Sequence, residues 1–246
     1  NLDEVSKNLP LYWGPQPFTA GPMYMGAITI FLFLLGLLIY KGEDKWWIVI
    51  ATVLAVFLAL GSNFMGFTKF FYNYAPLYNK FRTVSMALVV LQFTLPILAF
   101  LTLDRIVRYS AKDSQSMAQE FKSKGWIAYL LTGGFCIVMA LIPSLAGSFS
   151  GSSDSGQQSV LVEALVADRQ SLLVSDSVRS FAFITAAYLL LLWGFTVPKD
   201  AKKTFETQPA FRTSRSRTAA LLICLLVLVD LFSVDKRYLN SDDFVS

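Results

Sequence analysis

The chain has 246 residues, of which 54% are hydrophobic and only 15% are charged, compared with roughly 25% charged residues in soluble domains. It has no histidine, and its two cysteines, Cys136 and Cys224, lie within apolar runs, which excludes imidazole catalysis and His/Cys zinc sites within the chain. In so apolar a chain the placement of the basic residues is more informative than the net charge of +4. We expect membrane lipids, and no nucleic acid, as partners.

Apolar segments close to the 20 or so residues that cross a bilayer's hydrocarbon core recur along the chain. This pattern predicts an all-α fold, a polytopic bundle of about six transmembrane helices in a single membrane domain over residues 1–246. The predicted spans, in chain order, are residues 23–40, 46–60, 84–103, 126–145, 181–197 and 219–234. The five-residue link 41–45 predicts a hairpin of the first two spans, and Pro96 predicts a kink in the third.

An aromatic and basic segment, residues 63–83, links the second and third spans. Lys80 and Arg82 lie just before the third span, at the depth where lipid phosphates are expected. Arginine can hold phosphate oxygens through a two-pronged contact, and lysine adds a point charge. We therefore expect a phosphate site at Lys80 and Arg82, with Tyr78 and Asn79 beside them. The alternative is an interfacial belt of aromatic rings whose cations reach up to the headgroups.

The predicted outer loop, residues 146–180, begins with a Ser/Gly-rich linker and continues as a short helix over about 160–179. Four charged residues fall within an arc of about 100° on this helix, namely Asp168, Arg169, Asp176 and Arg179. Such a stripe either lines a polar cleft or forms a solvated helix face. Asp230, inside the sixth span, is either functional or a structural, water-accessible carboxylate. Asp176, Arg179 and Asp230 are therefore the candidate residues of a polar cleft.

Lysine and arginine are divided unevenly between the two alternating sets of loops. Thirteen of the 21 lie in the set formed by residues 41–45, 104–124 and 198–217. Because basic residues resist translocation, we predict that this set faces the cytoplasm. Both termini of the chain are then extracytoplasmic.

Three segments resemble the YfhO-type bacterial membrane proteins, especially those of Bacteroidetes. They are the run from Tyr12 through Pro22, the run from Asn63 through Val84, and the run from Asp230 through Leu239. The resemblance spans nearly the whole chain and is most specific over Tyr78 to Arg82 and over Asp235 to Leu239.

The YfhO-type proteins are similar to the GT-C glycosyltransferases, which transfer a sugar from a polyprenyl-phosphate donor to an acceptor outside the cytoplasm. The resemblance implies this reaction, a place in the bacterial cytoplasmic (inner) membrane, and Lys80 and Arg82 as contacts of the donor phosphate. It also implies a catalytic acid in a loop that precedes Asn1, so we expect the chain to match the later membrane portion and to transfer no sugar alone. The catalytic residue and the need for a metal are left unassigned. A transporter or flippase for a lipid-linked substrate, or a noncatalytic membrane scaffold, are the alternatives.

We predict that single cysteines placed at Ser153 and Ser241 react with a membrane-impermeant thiol reagent added to intact spheroplasts, whereas a cysteine placed at Ser214 does not. The expectation follows from the surplus of basic residues in the loops assigned to the cytoplasm. Gel-shift analysis of the labelled protein measures the reaction, and lysed spheroplasts, in which all three positions react, are the control. Labelling at position 214 in intact spheroplasts would contradict the orientation.

Overall fold

The computed structural model describes residues 23–76, 78–80, 84–108, 114–151, 154, 159–195 and 209–238. These residues form helices and short connections with no strand among them, so the all-α class predicted from the sequence is confirmed. The α-helices are α1 (Ala27–Ile39), α2 (Asp44–Ala59), α3 (Met65–Tyr74), α4 (Val89–Arg108), α5 (Ser114–Leu141), α6 (Ser159–Phe195) and α7 (Pro209–Tyr238). Short 3₁₀ helices cover Gly61–Phe64, Tyr78–Lys80, Val84–Leu88 and Pro143–Ala146.

Four helical segments in the described part of the chain are long and apolar enough to cross a membrane, namely Met86–Arg108, Gln119–Leu141, Ser159–Phe195 and Arg215–Arg237. A fifth span results if α2 and the segment Gly61–Tyr74, which are bent by 105°, are counted together. Large apolar side chains on the outside of these helices are exposed, such as Phe93 (66%) and Leu228 (65%). Such a surface suits lipid chains rather than water. The architecture is that of a membrane protein.

Helix α1 lies at the centre of the bundle, in contact with α4, α5, α6 and α7. Its side chains are apolar on nearly all sides, and Ile28, Phe31 and Leu35 are fully buried. With 13 residues it is about 20 Å long, shorter than the hydrocarbon core of about 30 Å. A helix that is hydrophobic all round is stable when other helices surround it, so α1 is the element on which the others pack.

Two lysines contact the carboxyl-terminal end of α1. Lys124, on α5, donates a hydrogen bond to the carbonyl oxygen of Leu38 at 3.1 Å, and Lys45 donates one to that of Leu37 at 3.4 Å. Glu120 lies one turn before Lys124 and accepts a hydrogen bond from it at 2.6 Å. The last carbonyls of a helix have no partner within the helix, and cations at this end interact favourably with the helix dipole. The two lysines therefore stabilise the end of α1.

Helices α1 and α4 pack closely at Gly36. A Cβ added to Gly36 would overlap Thr102 Oγ1 and would lie 2.9 Å from Leu98 Cγ. The Thr102 hydroxyl donates a hydrogen bond to the carbonyl oxygen of Leu98 at 2.6 Å, so it is satisfied within α4 while it contacts α1. Small residues at such contacts are the usual way in which membrane helices approach one another.

The later helices are longer than the sequence predicted. Helix α6 is a single helix of 37 residues, about 55 Å long. The short loop helix and the fifth span, predicted as separate elements, are therefore corrected to one element, because no proline and no glycine before Gly194 interrupts it. Helices α5 and α7 also begin before the predicted spans, and α4 continues through Pro96 as one helix.

We predict that Gly36→Ala lowers the stability of the protein in detergent by about 1–3 kcal/mol, because the added methyl group overpacks the contact with α4. Gly134→Ala, on α5, is the matched control, since a Cβ there meets no atom within 4 Å and alanine favours a helix over glycine by up to about 1 kcal/mol. Thermal unfolding followed by near-ultraviolet circular dichroism compares the two variants with the parent. A Gly36→Ala protein as stable as the parent would contradict the close packing of α1 on α4.

Candidate functional site

The carboxylate of Asp230, on α7, caps the start of α1. Its Oδ2 accepts a hydrogen bond from the backbone N–H of Ala27 at 2.9 Å, and its Oδ1 accepts one from the hydroxyl of Tyr24 at 2.7 Å. The first N–H groups of a helix have no partner within the helix, and a negative charge at this end is favoured by the helix dipole. Asp230 is fully buried, so its structural role does not involve the exposure to water that one interpretation of the sequence expected.

The approach of the chain to α1 depends on Gly26. This residue has a φ of 84°, a conformation that side chains with a Cβ rarely adopt. A Cβ here would also lie 3.0 Å from Thr29 Oγ1 and 3.3 Å from Leu231 Cδ2. The turn at Gly26 brings the Tyr24 hydroxyl within 3.1 Å of the Ala27 nitrogen, so Tyr24 and the cap form one unit.

Tyr24 links the cap to a second group of charges. The Arg179 guanidinium lies over the Tyr24 ring, 5.5 Å from its centroid. Asp176, one turn earlier on α6, is 3.5 Å from Arg179 and accepts two hydrogen bonds from Arg237 on α7, at 2.9 and 3.0 Å. The structure therefore brings the predicted residues Asp176, Arg179 and Asp230 together through Tyr24 and Arg237.

Tyr24 and the charged side chains of Asp176, Arg179 and Arg237 border a cavity of about 400 Å³, here called the polar cleft after these charges. The rest of its wall is mainly apolar and includes Phe135, Cys136, Met139, Leu173 and Val234. Asp176 and Asp230 balance Arg179 and Arg237 in formal charge. Such a network can orient a polar group without attracting it through a net charge. Sequence reasoning did not select Tyr24 and Arg237, because Tyr24 lies in a predicted span and Arg237 counts there as a topology signal.

A second cavity, here called the apolar groove, lies between α1, α4 and α7. It has a volume of about 540 Å³, and its wall includes Thr29, Gln92, Phe100 and Leu228. Tyr24 belongs to the walls of both cavities. The groove extends along α4 from Gln92 to Leu103, about 16 Å at the rise of an α-helix. Its shape and almost wholly apolar wall suit a hydrocarbon chain.

The predicted phosphate site is described only in part. Lys80 is exposed, and Tyr78 is half-buried with a buried hydroxyl that has no hydrogen-bond partner among the described residues. The side chain of Asn79, and Arg82 altogether, lie outside the described residues, as do residues 12–22. The proposed contact between Lys80, Arg82 and a phosphate therefore stays a prediction.

The predicted charged stripe on α6 separates into two parts. Asp168 is exposed, whereas Arg169 is fully buried. Arg169 donates hydrogen bonds to both carboxylate oxygens of Asp154, at 2.7 and 3.0 Å, and to the carbonyl oxygen of Phe149 at 2.7 Å. It thereby fastens the connection before α6 to the helix, so only Asp176 and Arg179 of the stripe reach the polar cleft.

No group of three or more Cys, Asp or Glu side chains in the described part of the chain is arranged to hold a metal ion. Comparisons with protein-family models, curated proteins and solved structures find no match for this chain.

We predict that Asp230→Leu lowers the stability of the protein in detergent by roughly 1–3 kcal/mol, because it leaves the Tyr24 hydroxyl without its acceptor and the Ala27 N–H with only the longer hydrogen bond to the Tyr24 hydroxyl oxygen. Asp230→Asn should cost less, since its side-chain carbonyl can still accept one of the two hydrogen bonds. Thermal unfolding of purified protein measures both effects.

The matched control for the cap is Asp235→Leu, on the same helix, where the parent carboxylate is exposed. It should unfold within about 0.5 kcal/mol of the parent. If Asp230→Leu and Asp235→Leu unfold at the same temperature, the carboxylate of Asp230 does not stabilise the amino-terminal end of α1.

Proposed function

We propose that the chain is the membrane portion of a GT-C-like glycosyltransferase that uses a polyprenyl-phosphate-linked sugar at the extracytoplasmic face of the bacterial inner membrane. The observation that carries the proposal is the apolar groove that shares Tyr24 with the polar cleft. A lipid-linked sugar has a long hydrocarbon chain, which suits the apolar groove, and a polar head, which suits the charged side chains of the polar cleft. In this proposal α1, α2 and helices α4 to α7 supply six spans, with both termini extracytoplasmic.

The polyprenyl chain lies in the apolar groove. Phe100 and Leu228, at 59% and 65% exposure, stand where the groove meets the membrane, so a chain can enter sideways from the lipid. Burial of hydrocarbon from water contributes about 0.8 kcal/mol per CH₂, but a lipid that moves from bilayer to groove gains little from this source. Specific binding therefore depends on the fit of the groove and on the contacts of the polar head.

The phosphate of the donor is held by Lys80 and Arg82, with Tyr78 and Asn79 beside them. In the sequence only a short stretch that includes the 3₁₀ helix Val84–Leu88 separates this segment from α4, and Gln92, one turn into α4, lies in the wall of the groove. A head bound near the start of α4 can therefore leave its chain in the groove. The side chains of the polar cleft then orient the sugar.

The placement of charge favours an enzyme over a transporter or flippase. Asp230 and Arg237 lie near the carboxyl-terminal end of α7, and Tyr24 lies at the start of α1. A transporter of the inverted-repeat type gathers its polar groups at the middle of the membrane on interrupted helices. A cluster at the ends of α1 and α7, packed on the middle of the 37-residue α6, instead suits chemistry at the membrane surface.

We predict that benzoylphenylalanine in place of Phe100 cross-links a radiolabelled polyprenyl phosphate several times more than the same residue in place of Phe93. Both positions are exposed phenylalanines on α4, at 59% and 66%, but Phe93 does not contribute to the wall of the groove. Excess unlabelled polyprenyl phosphate should abolish the difference, and excess phosphatidylcholine should not. Equal labelling of the two positions would contradict a specific lipid site.

We predict that Arg82→Lys removes most transfer activity in an active full-length protein, because lysine keeps the charge but cannot make the planar, two-pronged phosphate contact. Lys80→Ala should weaken use of the donor less. The activity assay is sugar transfer from a polyprenyl-phosphate donor, and equal amounts of protein in the membrane fraction are the control. Normal transfer by a correctly inserted Arg82→Lys protein would mean that the two cations only reach the headgroups.

A further inference from the structure

The connection between α2 and α3 makes a sharp, hydrogen-bonded turn, here called the elbow. The two helices are bent by 105°, and Gly61 at the bend has a φ of 50°, which favours glycine. The hydroxyl of Thr68, on α3, donates a hydrogen bond to the carbonyl oxygen of Gly61 at 2.7 Å. If α2 crosses the membrane, this elbow directs α3 nearly parallel to the membrane plane.

The two sides of α3 differ in chemistry. At about 100° per residue, Phe67, Phe70, Phe71 and Tyr74 share one side, whereas Lys69 and Asn73 lie on another. Phe67 packs against Phe64 and Phe57, with ring centroids 5.5 Å apart in each case, and Phe71 lies 4.8 Å from Phe67. The inner rings therefore attach α3 to the end of α2, while Phe70 and Tyr74 form its free apolar edge.

The free edge of α3 has no protein partner among the described residues that buries it. No residue of α3 is buried, and Phe70 and Tyr74 are 56% and 76% exposed. In water these rings would be a costly apolar surface, and in the hydrocarbon core Lys69 and Asn73 would be without polar partners. Only the boundary between headgroups and acyl chains satisfies both sides of the helix.

The charge of α3 and the residues that follow it indicates which lipid headgroups this part of the chain attracts. No Asp or Glu occurs between Lys45 and Leu103, whereas Lys69, Lys80 and Arg82 lie on or just after α3. A segment with three cations and no carboxylate is attracted to anionic headgroups, by about 1 kcal/mol for each basic residue near the surface.

We infer that α3 is a membrane-surface helix that binds anionic phospholipid, with Phe70 and Tyr74 inserted below the phosphates and Lys69 and Asn73 facing the headgroups. This surface adjoins the proposed donor site, whose Lys80 and Arg82 add to its positive charge, but its insertion through Phe70 and Tyr74 does not depend on glycosyl transfer. It holds the segment before α4 at the level of the lipid phosphates.

Spin labels in nanodiscs test the depth of α3. In a parent with Cys136→Ala and Cys224→Ala, single labels are placed at Gly66, Phe70, Asn73 and Tyr74. The ratio of accessibility to oxygen and to a water-soluble nickel complex should be about twofold or more higher at positions 70 and 74 than at 66 and 73. Leu131, exposed on α5, and Ser148, exposed in a connection, supply the lipid and water references.

Equal accessibility to the nickel complex at all four positions would overturn the inference, since α3 would then lie in water. Protection of positions 70 and 74 from both reagents would also overturn it, because a protein partner or a second copy would then cover the edge. The control is the unfolding temperature of the labelled variants. If at least two of them unfold at the same temperature as the parent, the fold is retained.

The anionic part of the inference is tested by lipid composition. The label at Phe70 should move deeper in an equal mixture of phosphatidylglycerol and phosphatidylcholine than in phosphatidylcholine alone, and Lys69→Gln should reduce this shift. Lys122→Gln, which replaces an exposed lysine on α5, is the matched control and should leave the shift unchanged. A depth that does not depend on phosphatidylglycerol would overturn the assignment to anionic lipid.

Discussion

The hydrogen bond from the Ala27 backbone to the buried carboxylate of Asp230 is the interaction on which the rest of the bundle depends. Helix α1 is too short to place both of its ends in the headgroup layers, so its terminal N–H and C=O groups need partners from the protein. Asp230 supplies a negative charge at the amino end, while Lys45 and Lys124 supply positive charges at the carboxyl end. Each charge has the sign that the helix dipole favours.

The same cap determines where the cavities lie. Because Asp230 draws Tyr24 onto α7, the Tyr24 side chain becomes a common wall between the polar cleft and the apolar groove. Arg179 lies over this ring and connects it to Asp176 and Arg237. A change at the cap should therefore alter both cavities together, which makes Asp230 a positioning residue whatever the ligand.

Polar side chains elsewhere in the chain, charged or uncharged, attach the connections to the helices. The buried Arg169 holds the segment around Phe149 and Asp154 against α6, and the Thr68 hydroxyl holds the elbow that turns α3. Both contacts lie outside the central packing around α1. They give defined positions to segments that length and hydropathy alone would leave as loops, and in α3 this position carries the aromatic rings to the membrane surface.

The sequence by itself determined the all-α class and the approximate place of each apolar helix. The length of an apolar segment is a property of the local sequence, and only a segment of about 20 apolar residues can cross the hydrocarbon core as a helix. The sequence also selected Asp230, since a carboxylate in an apolar run needs an explanation. Only the tertiary structure decided what that carboxylate does, because its partner Tyr24 lies 206 residues away. Apolar spans have few features that specify their neighbours, so the central place of α1, the pairing of Arg237 with Asp176 and the two cavities followed from packing alone.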